Sequence, residues 1–337
     1  MWKNWQKNGI KWGMSRKIEI SHRTIIFTVL FLLFLGLVYL MRDLILMLFV
    51  ALLLTAILEP IVNTLSKIKI PSIVSVLVSY FIVFGVIGGV IALIIPALVD
   101  QTTSFVNALP GYLSNLKIPP YVSQDVVREV VSRLGSLPGE ALRITISIFS
   151  NVISVLTVLV FAFYMLLARG KLEDHLGYFF GDEKKKLLGD VVDEIEKRLG
   201  GWARGEFALM FVVGLATYIG LSLLGIPFAL PLAVLSGLLE IIPLLGPIIS
   251  AIPGVIIGFG ISPLTGIGVA AMAFLIQQLE NYILVPKIMQ NSVGVSPIVT
   301  LIALAVGARL AGITGMIISV PMVITLQVIA KNYLIKE

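Results

Sequence analysis

Three ionisable side chains stand inside long apolar stretches of this sequence: Glu240, Glu280 and Arg309. An ionisable group within a bilayer costs roughly 2.5 to 3.5 kcal/mol on insertion scales, so each marks a place where charge is used. Glu280 lies in Gln277-Gln278-Leu279-Glu280-Asn281, where Gln277 and Asn281 stand one helical turn apart and flank it. A carboxylate between carboxamides can accept a proton or coordinate a cation, and a salt bridge to Lys287 is the structural alternative. Glu240 sits in Ser236-Gly237-Leu238-Leu239-Glu240-Ile241-Ile242-Pro243, and Arg309 in Val306-Gly307-Ala308-Arg309-Leu310-Ala311-Gly312. Small residues beside both allow backbones to approach and leave room for a solute. These two charges either flank a substrate or form a structural ion pair. Ser250 and Ser319 offer hydroxyls to a solute or back-bond to their own helices. Glu59, next to Pro60 at a helix end, reads as interfacial and is set aside.

Two broken segments must position these groups. Phe228 to Gly260 and Pro297 to Ala330 are each about 33 residues long, about 50 Å as a straight helix, against a hydrocarbon core of about 30 Å. Each is too long for one span and too short for two plus a turn. The expectation is a pair of re-entrant helical hairpins, with irregular backbone at depth covered by protein or lining a cavity. Pro243, Gly246 and Pro247 break the first; Gly307, Gly312 and Gly315 break the second, and Pro321 follows. Gly246-Pro247-Ile248-Ile249-Ser250 and Gly315-Met316-Ile317-Ile318-Ser319 align at an offset of 69 positions, with Pro253 and Pro321 beyond them. That register sets Glu240 opposite Arg309. Discontinuous helices in matching positions of two halves point to a transport site.

The composition demands a membrane. Apolar residues make up 58% and charged residues 13%, mean hydropathy is +1.03, and several apolar runs reach 18 residues or more. The fold class is therefore all-α polytopic, with about six full spans plus the two hairpins as an inverted repeat. The net charge of +6 falls mainly in loops, so it reports orientation and not nucleic-acid binding. There is no cysteine, and His22 and His175 lie in polar flanks, so neither disulfides nor a metal cluster is expected. A phosphate-binding Gly-x-x-x-x-Gly-Lys-Ser/Thr loop, a nucleophile set and a cofactor motif are all missing, which argues against an enzyme or an ATP-driven pump.

In chain order, residues 1–23 form a basic segment with Trp2, Trp5 and Trp12, suited to an anionic membrane surface. Residues 24–99 hold three spans, the third with Gly85 and Gly89 as a close-packing face. Residues 100–143 form an extracytoplasmic cap with one short amphipathic helix, Gln124 to Leu134. Residues 144–168 are the fourth span, and 169–205 a cytoplasmic helical region beginning near Asp182. Residues 206–263 and 264–331 are two repeats, each a spanning helix followed by a hairpin. Most lysines and arginines collect on the side of residues 1–23 and 169–204, placing both termini in the cytoplasm. The first hairpin then opens outward and the second inward.

Glu240-Ile241-Ile242-Pro243-Leu244-Leu245-Gly246-Pro247, Glu280-Asn281 with Pro286, and Gly307 to Gly315 with Pro321 resemble the signature of the autoinducer-2 exporter family of inner-membrane proteins. The likeness covers nearly the whole chain. It implies homo-oligomers that export small signalling or metabolic solutes, and some members are described as sodium or lithium/proton antiporters. Arg309 falls where the family varies. The sequence thus predicts a secondary transporter exporting a small polar solute, coupled to protons or sodium through Glu280 and Glu240. A cation/proton antiporter and a non-transporting membrane scaffold are its rivals.

Overall fold

The computed structural model describes residues 22–115, 152–172, 174, 177–178, 181–289 and 294–334. The expected amphipathic helix at 124–134 and the basic segment 1–21 lie outside them. Among the described residues the chain is helical throughout, without a strand. It divides into two compact units, residues 1–46 and 47–337. In the first, α1 (His22–Leu40) is exposed along its entire apolar surface, Phe27 and Leu33 included, which suits a helix solvated by lipid tails. The guanidinium of Arg42 sits over the Tyr39 ring, 4.7 Å from its centre.

The second unit holds most of α2 (Arg42–Lys67), then α3 (Ser72–Asn115), α4 (Val152–Ala168) and α5 (Asp182–Leu223). Hairpin one follows as α6 (Ala229–Leu239) and α7 (Leu245–Ile261), and α8 is Pro263–Leu279. After α8 come a π-helical turn (Glu280–Leu284) and a single turn α9 (Val285–Ile288). Hairpin two is α10 (Pro297–Leu334), whose helical dihedrals fail at Ala311 and Gly312. Five described helices are long and apolar enough to cross a membrane: Arg42–Lys67, Ser72–Gly89, Lys185–Leu223, Pro263–Ile288 and Pro297–Asn332. The last is bent back upon itself, so its length is not one span. The first and fourth expected spans are present as shorter apolar helices, with 144–151 outside the described residues.

Two helices run on where the sequence suggested a break. α3 continues past Pro96 and Pro110 to Asn115, and α5 fuses the polar segment from Asp182 with the apolar stretch after Phe207. At 1.5 Å per residue each exceeds 60 Å, about twice the hydrocarbon thickness. α5 is therefore the axis of the unit. Its first half packs through Leu199, Trp202 and Ala203 against Ala56 of α2 and Val320, Ile324 and Val328 of α10. Its second half packs through Leu221 against Phe105 of α3, Leu232 of α6, Ile257 of α7 and Val269 of α8. A third cluster joins Leu58 and Val62 of α2 to Val76 of α3 and Leu166 of α4.

Without a hydrophobic drive between helices in lipid, close backbone approach must supply the packing, and glycine permits it. A Cβ at Gly237 would stand 2.6 Å from the Met210 carbonyl, and the Cα of Gly214 lies 3.4 Å from that same point, so α6 rests on the α5 backbone. α7 meets α8 the same way, a Cβ at Gly258 falling 3.0 Å from the Gly266 Cα. The expected Gly85 and Gly89 face differs: added Cβ atoms there meet nothing within 4 Å. Both lie on the exposed side of α3 within this chain.

Candidate functional site

Hairpin one is built to stop a helix at Glu240. α5 ends in an αL cap at Gly225, with the Ile226 N–H bonded to the Leu221 carbonyl at 2.9 Å. α6 then runs back along α5 to Leu239. Glu240 closes it, its N–H on the Ser236 carbonyl at 3.2 Å. The Leu245 N–H bonds to the Pro243 carbonyl at 2.8 Å across Leu244, whose φ is 69° and ψ −44°. That is a γ-turn of the positive-φ kind, rare and strained for a leucine. Gly246, expected as a helix break, acts through close approach, since it is Leu244 that takes the positive φ. A Cβ there would fall on the Leu239 carbonyl, so Gly246 lets the two arms close. Ser262 caps α8 by accepting from the Thr265 N–H at 3.0 Å, with Pro263 at the first helical position.

Glu280 is aimed by a different device. At the end of α8 the helix widens by one residue, the Val285 N–H reaching back five positions to the Glu280 carbonyl. Pro286 lacks the N–H that an α-helical ladder would use next. The widened turn puts Glu280 inside, 5% exposed, and leaves Asn281 on the exposed side. π-turns of this sort recur where a side chain must be re-aimed at a site. Gln277 donates from Nε2 to Glu280 Oε2 at 3.2 Å.

These devices bring Glu240, 2% exposed, beside Glu280, close enough for their carboxyls to interact directly. A third carboxyl joins them. Glu206 of α5 is 5% exposed and within electrostatic reach of both. One carboxylate oxygen of Glu240 is buried without a hydrogen-bond partner. Among the described ion pairs, none involves any of the three. Two like charges 4 Å apart repel by about 4 kcal/mol at an effective dielectric of 20. The cluster therefore requires positive charge from a proton or a cation. Among the described residues, no group of three His, Cys, Asp or Glu side chains is arranged to hold a metal ion.

A small cavity between α5, α6, α7 and α8 has Glu280 in its wall. It offers about 30 Å³ to water centres, room for roughly two waters. Thr217, Ser236, Ser250 and Gln277 give it a polar side, and Val213, Leu232 and Val269 an apolar one. The hydroxyls are linked: Thr217 donates to Ser236 Oγ at 3.2 Å, and Ser250 Oγ lies 3.4 Å from Ser236 Oγ and 3.0 Å from the Pro247 carbonyl.

Of the residues singled out in the sequence, Glu240, Glu280, Gln277 and Ser250 thus meet at one place. Ser319 is buried but bonds back to the Met316 carbonyl of its own arm at 2.6 Å. Arg309 is exposed at the tip of hairpin two, and no described ion pair joins it to Glu240. Hairpin two is bent by Gly312, φ 60°, with Gly307 and Gly315 so close that a Cβ on either would strike the other's carbonyl. Its principal neighbour is α5. Glu59 pairs with Arg169 at 3.8 Å; Arg169 also donates to Asp193 and lies 2.6 Å from Glu196. Burial opposes the Arg169 charge, yet the Asp193 hydrogen bond and the surrounding carboxylates hold it above its ordinary value. Glu206, Thr217 and Ser236 were not legible as site residues. Glu206 abuts the last basic residues of a polar stretch, and only the unbroken course of α5 shows it is interior.

Residues 26–335 match the family described as AI-2E family transporter. Among relatives, YueF of Bacillus subtilis (strain 168) is 27% identical over 289 residues, covering 78% of this chain and 77% of that one. A protein of Alkalihalophilus pseudofirmus is 26% identical over 339 residues, covering 93% and 88%. YrrI of Bacillus subtilis (strain 168) is 30% identical over 178 residues, so this chain spans half the length of that relative. All three are provisionally named as transport proteins. A helical, multi-pass chain with these matches is a membrane transporter, and it belongs to the AI-2E transporter family.

Proposed function

We propose that this protein is a secondary transporter of the inner membrane that exports a small polar solute by alternating access, driven by a proton or sodium gradient. The observation that carries the reading is the unpartnered, buried carboxylate oxygen of Glu240 beside Glu280, which itself lines a cavity bearing hydroxyls. A buried carboxylate without a counter-charge must be neutralised, and exchange of the neutralising ion for solute is what coupling requires. Glu240 and Glu280 hold the ion; Gln277 orients Glu280; the Ser236, Ser250 and Thr217 hydroxyls coordinate whatever enters. Both termini are cytoplasmic, hairpin one opens outward and hairpin two inward, and the chain works as a homo-oligomer. Any part that Arg309, Asn281 and Ser319 take in the pathway is secondary to this ion site.

The test is flux in proteoliposomes. A sodium or pH gradient should drive solute movement, and Glu280→Gln should abolish the coupling while the protein still assembles; unaltered flux in that variant would remove the reading. The size of the cavity favours a second reading, sodium or lithium/proton antiport without an organic solute. Sodium-driven proton movement with no solute added would establish it. The absence of any flux from a well-assembled protein would favour a scaffold. Because the chain lacks cysteine, single cysteines near 246 and 312 can be labelled from each face. Labelling from the same face would remove the inverted arrangement of the hairpins.

A further inference from the structure

We propose that Glu206 is the third carboxyl of a shared proton-binding unit with Glu240 and Glu280, and that the trio holds two protons at once. This deepens the transport reading and rests on it for its role in the cycle, though not for its existence.

The geometry is the ground. Glu206 lies one turn before Met210, whose carbonyl touches Gly237, so the same glycine contact that lays α6 on α5 carries Glu206 up to the end of α6, where Glu240 sits. The π-turn brings Glu280 to the same spot. Three interior carboxyls converge from three elements, and one of their oxygens has no donor at all. A pair of facing carboxyls can share a single proton, one charge being left over. A third carboxyl at the same place adds a second negative charge, and that needs a second proton.

No basic side chain stands in for it among the described residues. Arg204, two positions before Glu206 on α5, is exposed. From α10, Lys331 reaches Glu194, which Arg198 and Asn332 also contact, three turns away from Glu206. From α2, Glu59 faces Arg169. α8 contributes the Gln277 amide, already given to Glu280. α9 contributes Lys287, which is exposed. Of these two carboxyls, Glu280 lines the hydroxyl-bearing cavity and Glu206 does not.

Infrared difference spectra of the purified full-length protein in detergent at neutral pH, taken in light and heavy water, count protonated interior carboxyls directly. The wild type should show a deuterium-sensitive carboxyl band, and Glu206→Gln should reduce its area to about half, since the remaining pair holds one proton. Glu206→Asp, which keeps the acid, should retain the band and shows whether loss in the Gln variant reflects misfolding. An unchanged band in Glu206→Gln would overturn the proposal, as would a wild type with no such band. Transport separates the two readings. If Glu280→Gln abolishes flux while the Glu206→Gln band is unchanged, only the third carboxyl fails. If the band halves but no gradient drives flux, the proton unit stands and the transport reading falls.

Discussion

The two hairpins bend by one device and carry different contents. In each, a glycine presses against a carbonyl of the opposite arm: Gly246 on Leu239, Gly315 on Gly307. A serine four residues after that glycine then bonds three residues back, Ser250 to Pro247 and Ser319 to Met316. The offset of 69 positions seen in the sequence is thus a repeat of local geometry. Yet the charges in register part company. Glu240 is fully interior and joined to two other carboxyls, whereas Arg309 is exposed at its tip. Repetition of a backbone solution fixes where a helix can be interrupted. What lies under the interruption decides whether it becomes a site, and beneath hairpin one α5, α8 and the π-turn supply Glu206, Gln277 and Glu280.

The largest effect should therefore divide the hairpins by charge. Glu240→Gln and Glu280→Gln are each expected to lower coupled flux in proteoliposomes by at least on the order of 100-fold, about 2.8 kcal/mol at 1.4 kcal/mol per decade. Arg309→Gln should cost only about threefold. Equal losses would mean that the tips meet during the cycle, making the exposed position of Arg309 one state of two.

Stability, by contrast, should join the hairpins. Gly246→Ala and Gly315→Ala each drive a methyl into a backbone carbonyl that cannot swing away, and overpacking of this kind costs about 1 to 3 kcal/mol. Thermal unfolding in detergent should show similar losses for both, with Gly85→Ala nearly silent because its Cβ meets open space. A loss confined to one hairpin would break the shared device. At the serines the division returns. Ser319→Ala removes a bond within its own arm and should leave flux unchanged, whereas Ser250→Ala also removes one of the two hydroxyl partners of Ser236 and should reduce flux severalfold.

The sequence shows the breaks because proline and glycine act locally: their dihedral limits are carried by single residues, so Pro243, Gly246, Gly312 and Gly315 mark the bends without any tertiary knowledge. It shows Glu240 and Glu280 because each is a charge surrounded by apolar residues. Glu206 is hidden by the opposite circumstance. It follows Arg198 and Arg204, so it reads as the edge of a polar segment, and only the continuation of α5 through residue 206 makes it interior. The orientation of Glu280 is hidden too, since a π-turn depends on which carbonyl accepts the Val285 N–H, and no residue type encodes that choice. The division of labour at tip one is hidden for a related reason: glycine serves close approach and positive φ alike, and the structure gives Gly246 the first while Leu244 takes the second.

That last exchange separates the tips most finely. Hairpin two places glycine at its positive-φ position, Gly312, φ 60°, with nothing within 4 Å of an added Cβ. Hairpin one places Leu244 at φ 69°. Gly312→Ala should lose about 1 to 3 kcal/mol, because φ 60° with ψ −138° is backbone that essentially only glycine occupies, with no contact to a neighbouring side chain added. Leu244→Gly should come out close to neutral, because relief of about 1 to 3 kcal/mol of strain offsets both the lost burial of a half-exposed leucine and the 0.5 to 1 kcal/mol (roughly) of glycine entropy. An unfolding shift showing a loss of about 3 kcal/mol or more for Leu244→Gly would mean the γ-turn is unstrained and the leucine is held by its packing. A near-neutral result together with slower transport would instead place the strain in the cycle, four residues from Glu240, where straightening the turn would withdraw that carboxyl from its partners.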